Sequence, residues 1–238
     1  MFAPMHGRMA RSRILIIVTS LGLAWLGATA PRAADRPTAP GSAASPAAAM
    51  RPAIVILGDS LAAGHGVEPA EAFPALLQRK VDEAGWPYEV VNAGVSGDTT
   101  AGGRRRLAWL LRRPMDVLVV ELGGNDGLRG LPPSATRSNL VAIIDAVRSR
   151  VPGVQVVLAG MQMPPNMGLD YAREYREIFP AVARDKEVLL IPHLLEGVGG
   201  KPEMNLPDQI HPTPAGHAVL ADNVWRVLRP LLERRMAR

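Results

Sequence analysis

Five short apolar runs recur along the chain, at Ala53–Leu57, Tyr88–Asn92, Asp116–Glu121, Val154–Ala159 and Glu187–Ile191. Each is rich in Val, Ile and Leu and nearly continuous rather than alternating. Such runs suit parallel strands covered on both faces, where every side chain meets an apolar neighbour. The segments between them carry a helical period. Phe73, Leu76, Leu77, Val81 and Ala84 share one face, with Gly85 as a stop. Leu140, Ile143, Ile144, Val147 and Val151 form a second stripe closed by Pro152-Gly153. Tyr171, Tyr175, Ile178 and Val182 predict a third helix, and Val219, Leu220, Val224, Val227, Leu228 and Leu231 a fourth after Pro214. Strands alternating with helices predict a parallel sheet with right-handed crossovers, a three-layer α/β/α domain.

In an open α/β sheet, ligands bind outside the carboxyl ends of the strands. The polar and glycine-rich clusters of this chain fall there. Gly58-Asp59-Ser60-Leu61 follows the first run, Gly94-Val95-Ser96-Gly97-Asp98-Thr99 the second and Gly123-Gly124-Asn125-Asp126 the third. Met161-Gln162-Met163-Pro164-Pro165 follows the fourth, and Asp208-Gln209-Ile210-His211-Pro212 comes after the fifth. Far apart in sequence, these loops are expected to converge on one sheet edge.

A serine hydroxyl is a weak nucleophile and needs a base, a group that orients the base, and donors for the oxyanion. His211 is the leading base, since an imidazole can accept and return a proton near neutral pH. Asp208 lies three residues earlier, where Pro207 and Pro212 favour a tight turn that brings the carboxylate back to the imidazole. Asn125 offers an amide donor, and the Gly97 and Ser60 N–H groups complete a candidate oxyanion hole. Each residue alone has a plainer reading: a capping Asp beside a surface His, a turn Asn, a loop Gly. Gly94-Val95-Ser96-Gly97 falls short of a Gly-x-Ser-x-Gly elbow because Asp98 occupies the last position. His65, His193, His211 and His217 lack the spacing of a helical metal pair, so no metal site is expected. His65 is expected to point down the helix that starts at Ser60, and His217 reads as a helix-face residue. Met161, Met163, Met167 and Leu169 are candidates for lining an acyl groove or filling the core.

The ends and charge set the remaining bounds. Arg8, Arg11 and Arg13 precede the apolar run from Ile14 to Leu26, and Ala28-Thr29-Ala30 follows. That order predicts a secretory signal over residues 1–30. Residues 31–50, dominated by Ala, Pro and Ser, read as a flexible leader, leaving residues 51–238 as a single domain. Of 27 basic and 22 acidic side chains, three arginines lie in the first thirty residues; the remaining 24 against 22 give a net of +2, which argues against a nucleic-acid partner. Arg104-Arg105-Arg106 reads as the solvated face of a helix. With no cysteine in the chain, disulfides, thiolate metal sites and a cysteine nucleophile are excluded.

Over residues 53–230 the sequence resembles the SGNH, or GDSL, hydrolase family. The four blocks stand in order: Gly58-Asp59-Ser60-Leu61, the Asn92–Thr99 segment with Gly97, the Glu121–Gly130 segment with Asn125, and Asp208–Pro212 with His211. Within the family the chain is similar to the bacterial periplasmic acyl-CoA thioesterase/lysophospholipase and arylesterase group, through Glu121–Gly130 and the Pro164–Gly168 stretch leading to Tyr171 and Tyr175. The resemblance implies Ser60 as nucleophile, His211 as base, Asp208 as its partner, and an oxyanion hole of Ser60, Gly97 and Asn125. It also implies a flavodoxin-like, five-stranded sheet in the order 2-1-3-4-5, with no metal or organic cofactor. The expectation is a periplasmic or secreted monomer acting on a small-molecule or lipid ester, without stable membrane insertion after cleavage. A carbohydrate O-acetyl esterase would use the same residues, whereas a non-catalytic lipid- or glycan-binding protein would need a broken block.

Overall fold

The computed structural model describes residues 51–237; the signal segment and leader expected over residues 1–50 lie outside them. Five strands, β1 (Ala53–Gly58), β2 (Glu89–Gly94), β3 (Val117–Glu121), β4 (Gln155–Ala159) and β5 (Leu189–Ile191), form one sheet in the order β2-β1-β3-β4-β5. Every pairing is parallel. The continuous apolar runs of β1 and β3 are buried throughout, as strands covered on both faces must be. β2 departs from that expectation. It is an edge strand, and Glu89 and Asn92 face solvent.

Among the described residues seven α-helices complete the layers: α1 (Ser60–Ala63), α2 (Phe73–Glu83), α3 (Thr100–Leu110), α4 (Gly124–Leu128), α5 (Pro133–Arg150), α6 (Leu169–Asp185) and α7 (Pro214–Met236). α2 packs with α7 in one layer, and α5 packs with both α3 and α6 in the other. The apolar stripes read from sequence supply Phe73, Leu77, Val81, Leu140, Ile143, Ile144, Tyr175, Val182, Leu220 and Val224 to the core. Thr213 caps α7 by accepting the Gly216 N–H at 3.3 Å, and Pro214 sits in its first turn.

α3 carries no clear sequence stripe, because Gly102-Gly103 and three arginines interrupt it. Glycine weakens an isolated helix by about 1 kcal/mol relative to Ala. Here the pair is needed for close approach, since a Cβ at Gly103 would overlap Leu122 and one at Gly102 the Asp98 carboxylate. His217 is not a surface helix-face residue but fully buried between α7 and α2, with its Nδ1 accepting the Phe73 N–H at 3.3 Å. Burial lowers its pKa to about 4, so the ring is neutral.

Candidate active site

At the end of β1 the chain turns at once into α1. Gly58 is in register with Gly94 on one side and Glu121 on the other. A Cβ at Gly58 would overlap the Glu121 carboxyl and Ala62, and one at Gly94 would strike the backbone of Ala62 and Ala63. The two glycines therefore let α1 lie against the strand ends, which fixes Ser60 at the sheet edge. Asp59 caps the turn, its Oδ1 accepting the Leu61 N–H at 3.0 Å. Glu121 Oε2 accepts the N–H groups of Asp59 at 3.1 Å and Ala62 at 3.2 Å. Among the described residues the Ser60 N–H, between them, has no acceptor.

Ser60 Oγ lies 3.0 Å from His211 Nε2, and His211 Nδ1 lies 2.7 Å from Asp208 Oδ2. An ionised carboxylate only accepts, so the proton sits on Nδ1 and Nε2 offers its lone pair to the Ser60 hydroxyl. The loop itself holds this line. Asp208 Oδ1 accepts the N–H groups of Ile210 at 2.9 Å and His211 at 3.0 Å, while Gln209 takes a φ of 60° to make the turn. Below it, the Leu206 N–H donates to the His211 carbonyl at 2.7 Å, and Asn205 pairs with Pro212 in an antiparallel bridge. Hydrogen bonds from His211 and the Ile210 N–H hold the Asp208 carboxyl well below the usual carboxylate range.

Asn125 is in the first turn of α4. Its Nδ2 donates to Asp59 Oδ2 at 3.1 Å and to the Asp98 carbonyl at 3.0 Å. Both partners are acceptors, which sets the amide orientation. The amide thus bridges the residue before Ser60 and the residue after Gly97, tying three separate loops together. Gly97 has a φ of 79°, which favours glycine, and among the described residues its N–H has no acceptor. Its carbonyl accepts from Arg129 Nη2 at 2.9 Å. The arrangement can therefore activate one hydroxyl and present two open backbone donors beside a polarised amide.

Several supporting groups were not legible in the sequence. Arg106 is not part of a solvated face: its guanidinium donates to Asp98 Oδ2 at 2.6 Å, to the Ala93 carbonyl at 2.6 Å and to the Gly58 carbonyl at 2.7 Å. One side chain so clamps the ends of β1 and β2 and the loop that carries Gly97. Arg104 and Arg105 are exposed, as expected. Asp126 is buried and accepts from the N–H and hydroxyl of Thr100, joining α4 to α3. Tyr175 donates to the Gly123 carbonyl, and Tyr171 to those of Gly127 at 3.2 Å and Leu131 at 2.9 Å, bracing the same turn from α6.

Behind Ser60, Asp59 and Glu121 form a buried carboxyl pair. Burial raises Asp59 to about 6 and pushes Glu121 well above the usual range, with the Asp59 charge adding to the rise. The Asp59 shift implies a pH-dependent stability. A folded-state pKa above the unfolded one means that the folded protein keeps a proton that the unfolded chain releases, so stability falls as pH rises from about 4 through about 6. The shift corresponds to about 3 kcal/mol. Asp59→Asn is expected to flatten that slope, read as the difference between urea midpoints at pH 4 and pH 7; an unchanged slope would show that Asp59 ionises without penalty.

Of the four candidates for an acyl groove or the core, Met161 and Met163 take the core role. They are 2% and 7% exposed and belong to the core, where Met163 fills the space above Gly127 left by the missing Cβ. Met167 is half-buried, and Leu169 is 75% exposed. His65, expected to point down the helix, instead lies beside His211, the two ring centroids 4.3 Å apart. A cleft of about 430 Å³ lined by Arg148, Val156, Glu187 and Arg235 lies at the amino ends of β4 and β5, the edge opposite Ser60. Its Arg148 and Arg235 are already bonded to Lys186, Glu187 and Asp116.

The pattern defining the GDSL-like Lipase/Acylhydrolase family matches residues 56–219. The chain is 44% identical over 180 residues to "Esterase TesA" of Pseudomonas aeruginosa, covering 75% of this chain and 89% of that protein. It is 39% identical over 189 residues to "Thioesterase 1/protease 1/lysophospholipase L1" of Escherichia coli, covering 78% and 87% respectively. The crystal structure of TesA superposes with a TM-score of 0.72 at 42% sequence identity, over 75% of this chain and 99% of that one.

Proposed function

The chain belongs to the GDSL-like lipase/acylhydrolase family, and we propose that it is an exported serine esterase hydrolysing esters or thioesters of acyl chains through an acyl-enzyme. The observation that carries this reading is the hydrogen-bonded line from Ser60 Oγ through His211 to Asp208, with 3.0 and 2.7 Å links. In the first step Ser60 Oγ attacks the acyl carbonyl as its proton passes to His211 Nε2. The oxyanion accepts from the Ser60 and Gly97 N–H groups and from the Asn125 amide. His211 then gives its proton to the departing alcohol or thiol, leaving the acyl group on Ser60. Water, deprotonated by the same nitrogen, releases the acid and restores the serine.

Exposed apolar side chains on the loops beyond the strand ends favour acyl chains over acetylated sugars. Among the described residues the large apolar side chains left exposed are Val95, Trp109, Leu128, Leu169, Ile210 and Met236. Four of these six, Val95, Leu128, Leu169 and Ile210, lie on the segments that follow the strand ends near the site. Acyl chains gain from burying such apolar surface, whereas polar sugar rings gain less. Export to the periplasm or beyond is supported by the basic, apolar, small-residue order of residues 1–30. Among the described residues no helix is long and apolar enough to cross a membrane.

A fluorophosphonate should label Ser60 in the wild type and fail to label Ser60→Ala. A series of p-nitrophenyl esters of increasing acyl length, run beside acetylated xylan, tests the substrate class. Rates that rise beyond acetyl support the acyl reading, and preference for acetylated xylan would overturn it. Absence of both label and hydrolysis would overturn the enzyme reading.

A further inference from the structure

The strongest unassigned cluster lies on the solvent side of the base. His65 follows the end of α1, and its exposed ring is tilted 44° against that of His211. Among the described residues its side chain has no hydrogen-bond partner, so it is free to turn. One ligand atom from each of His65, Asp208 and His211 lies within 4.8 Å of the others. Two imidazoles and a carboxylate are the donor set that late first-row divalent cations prefer, with water completing a tetrahedral shell. The exposed His65 ring can swing toward the pair, while Asp208 stays anchored by the Ile210 and His211 N–H groups and offers the ion its Oδ2.

We propose that His65, Asp208 and His211 form a binding site for a late first-row divalent cation, Zn2+ being the best fit, and that its occupancy reversibly shuts off hydrolysis at Ser60. The shut-off rests on the serine esterase reading above; the binding does not. Coordination replaces water on the hydrated ion with an imidazole lone pair. If the ion takes His211 Nε2, it occupies the lone pair that accepts the Ser60 proton. If it takes Nδ1, the proton there passes by way of solvent to Nε2, which then faces Ser60 as a donor, and the bond to Asp208 is lost. Either way the imidazole no longer acts as a base. Mg2+ and Ca2+, which favour oxygen shells, gain nothing from two imidazoles.

The test measures binding and rate separately on chelator-treated protein. Zn2+ binding, read by competition with a chromophoric chelator, should show one site per chain that weakens at least about tenfold in His65→Phe, since losing a ligand should cost no less than losing a group that orients one. Hydrolysis of a short p-nitrophenyl ester should fall in parallel with Zn2+ occupancy, recover with EDTA, and be indifferent to Mg2+. For each variant the rate is normalised to its own metal-free value. Binding equal in wild type and His65→Phe, or no binding at millimolar Zn2+, would overturn the site. Binding that depends on His65 while hydrolysis continues would overturn the shut-off. Binding that depends on His65 in a protein that hydrolyses no ester would support the site and sink the esterase reading instead.

Discussion

Asp208→Asn should lower kcat by about four orders of magnitude and leave KM within a few-fold, as expected when a triad loses the correct imidazole tautomer. The argument comes from the loop. Asp208 Oδ1 is held by two backbone donors, the N–H groups of Ile210 and His211. In the Asn variant those donors keep the amide oxygen in place, so the NH2 group must take the position of Oδ2, 2.7 Å from His211 Nδ1. The imidazole then has to accept at Nδ1 and carry its proton on Nε2, where it faces the Ser60 hydroxyl as a donor. A serine facing a donor cannot pass on its proton. Substrate contacts are untouched, which is why the loss should fall on kcat. Because its hydrogen bonds hold Asp208 well below the usual carboxylate range, its protonation should not shape the rate profile near neutral pH. Steady-state kinetics with a p-nitrophenyl ester read the effect directly; a loss below tenfold would remove Asp208 from the proposed mechanism.

What was legible in the sequence follows from how each feature is encoded. Buried parallel strands are written as continuous apolar runs, so the sheet could be read, and its polar loops follow strand ends by topology alone. The edge position of β2 could not, because a strand does not record which neighbour it lacks. α3 was hidden by glycines that exist for contact with Asp98 and Leu122. The residues of the proposed triad and its donors are named by short blocks, yet the groups that hold those blocks are not. Arg106 looks like any surface arginine until the register of β1 and β2 brings the Gly58 and Ala93 carbonyls within its reach. Glu121 becomes a buried carboxyl, its pKa pushed up by burial, only because it stands opposite Gly58 across β1 and β3. His65, five residues from Ser60, reaches His211 because a single-turn helix ends at Gly64 with a φ of 76° and redirects the chain.

Asn125→Ala should cost about 10²- to 10³-fold in kcat, the range measured when one side-chain donor is removed from an oxyanion hole. Two features of this site bear on the size of the loss. In the resting arrangement the Asn125 amide is shared between Asp59 Oδ2 and the Asp98 carbonyl, so an oxyanion must compete with Asp98 for it. That competition lowers what the amide gives, while the Ser60 and Gly97 N–H groups remain. In the other direction, the amide aligns the Ser60 and Gly97 loops, and removing it leaves Asp59 Oδ2 without its donor. Asp59→Asn separates the two roles. It keeps Asn125 but sets a donor against a donor at 3.1 Å, unless the new amide rotates and gives up the Leu61 N–H instead. If Asn125 acts on the oxyanion, Asn125→Ala should lower kcat with little change in KM, and Asp59→Asn should lower it less. If it only aligns the loops, both variants should lose activity equally and both should lower the urea midpoint. A kcat within a few-fold of wild type in Asn125→Ala would leave the oxyanion to the two backbone donors alone.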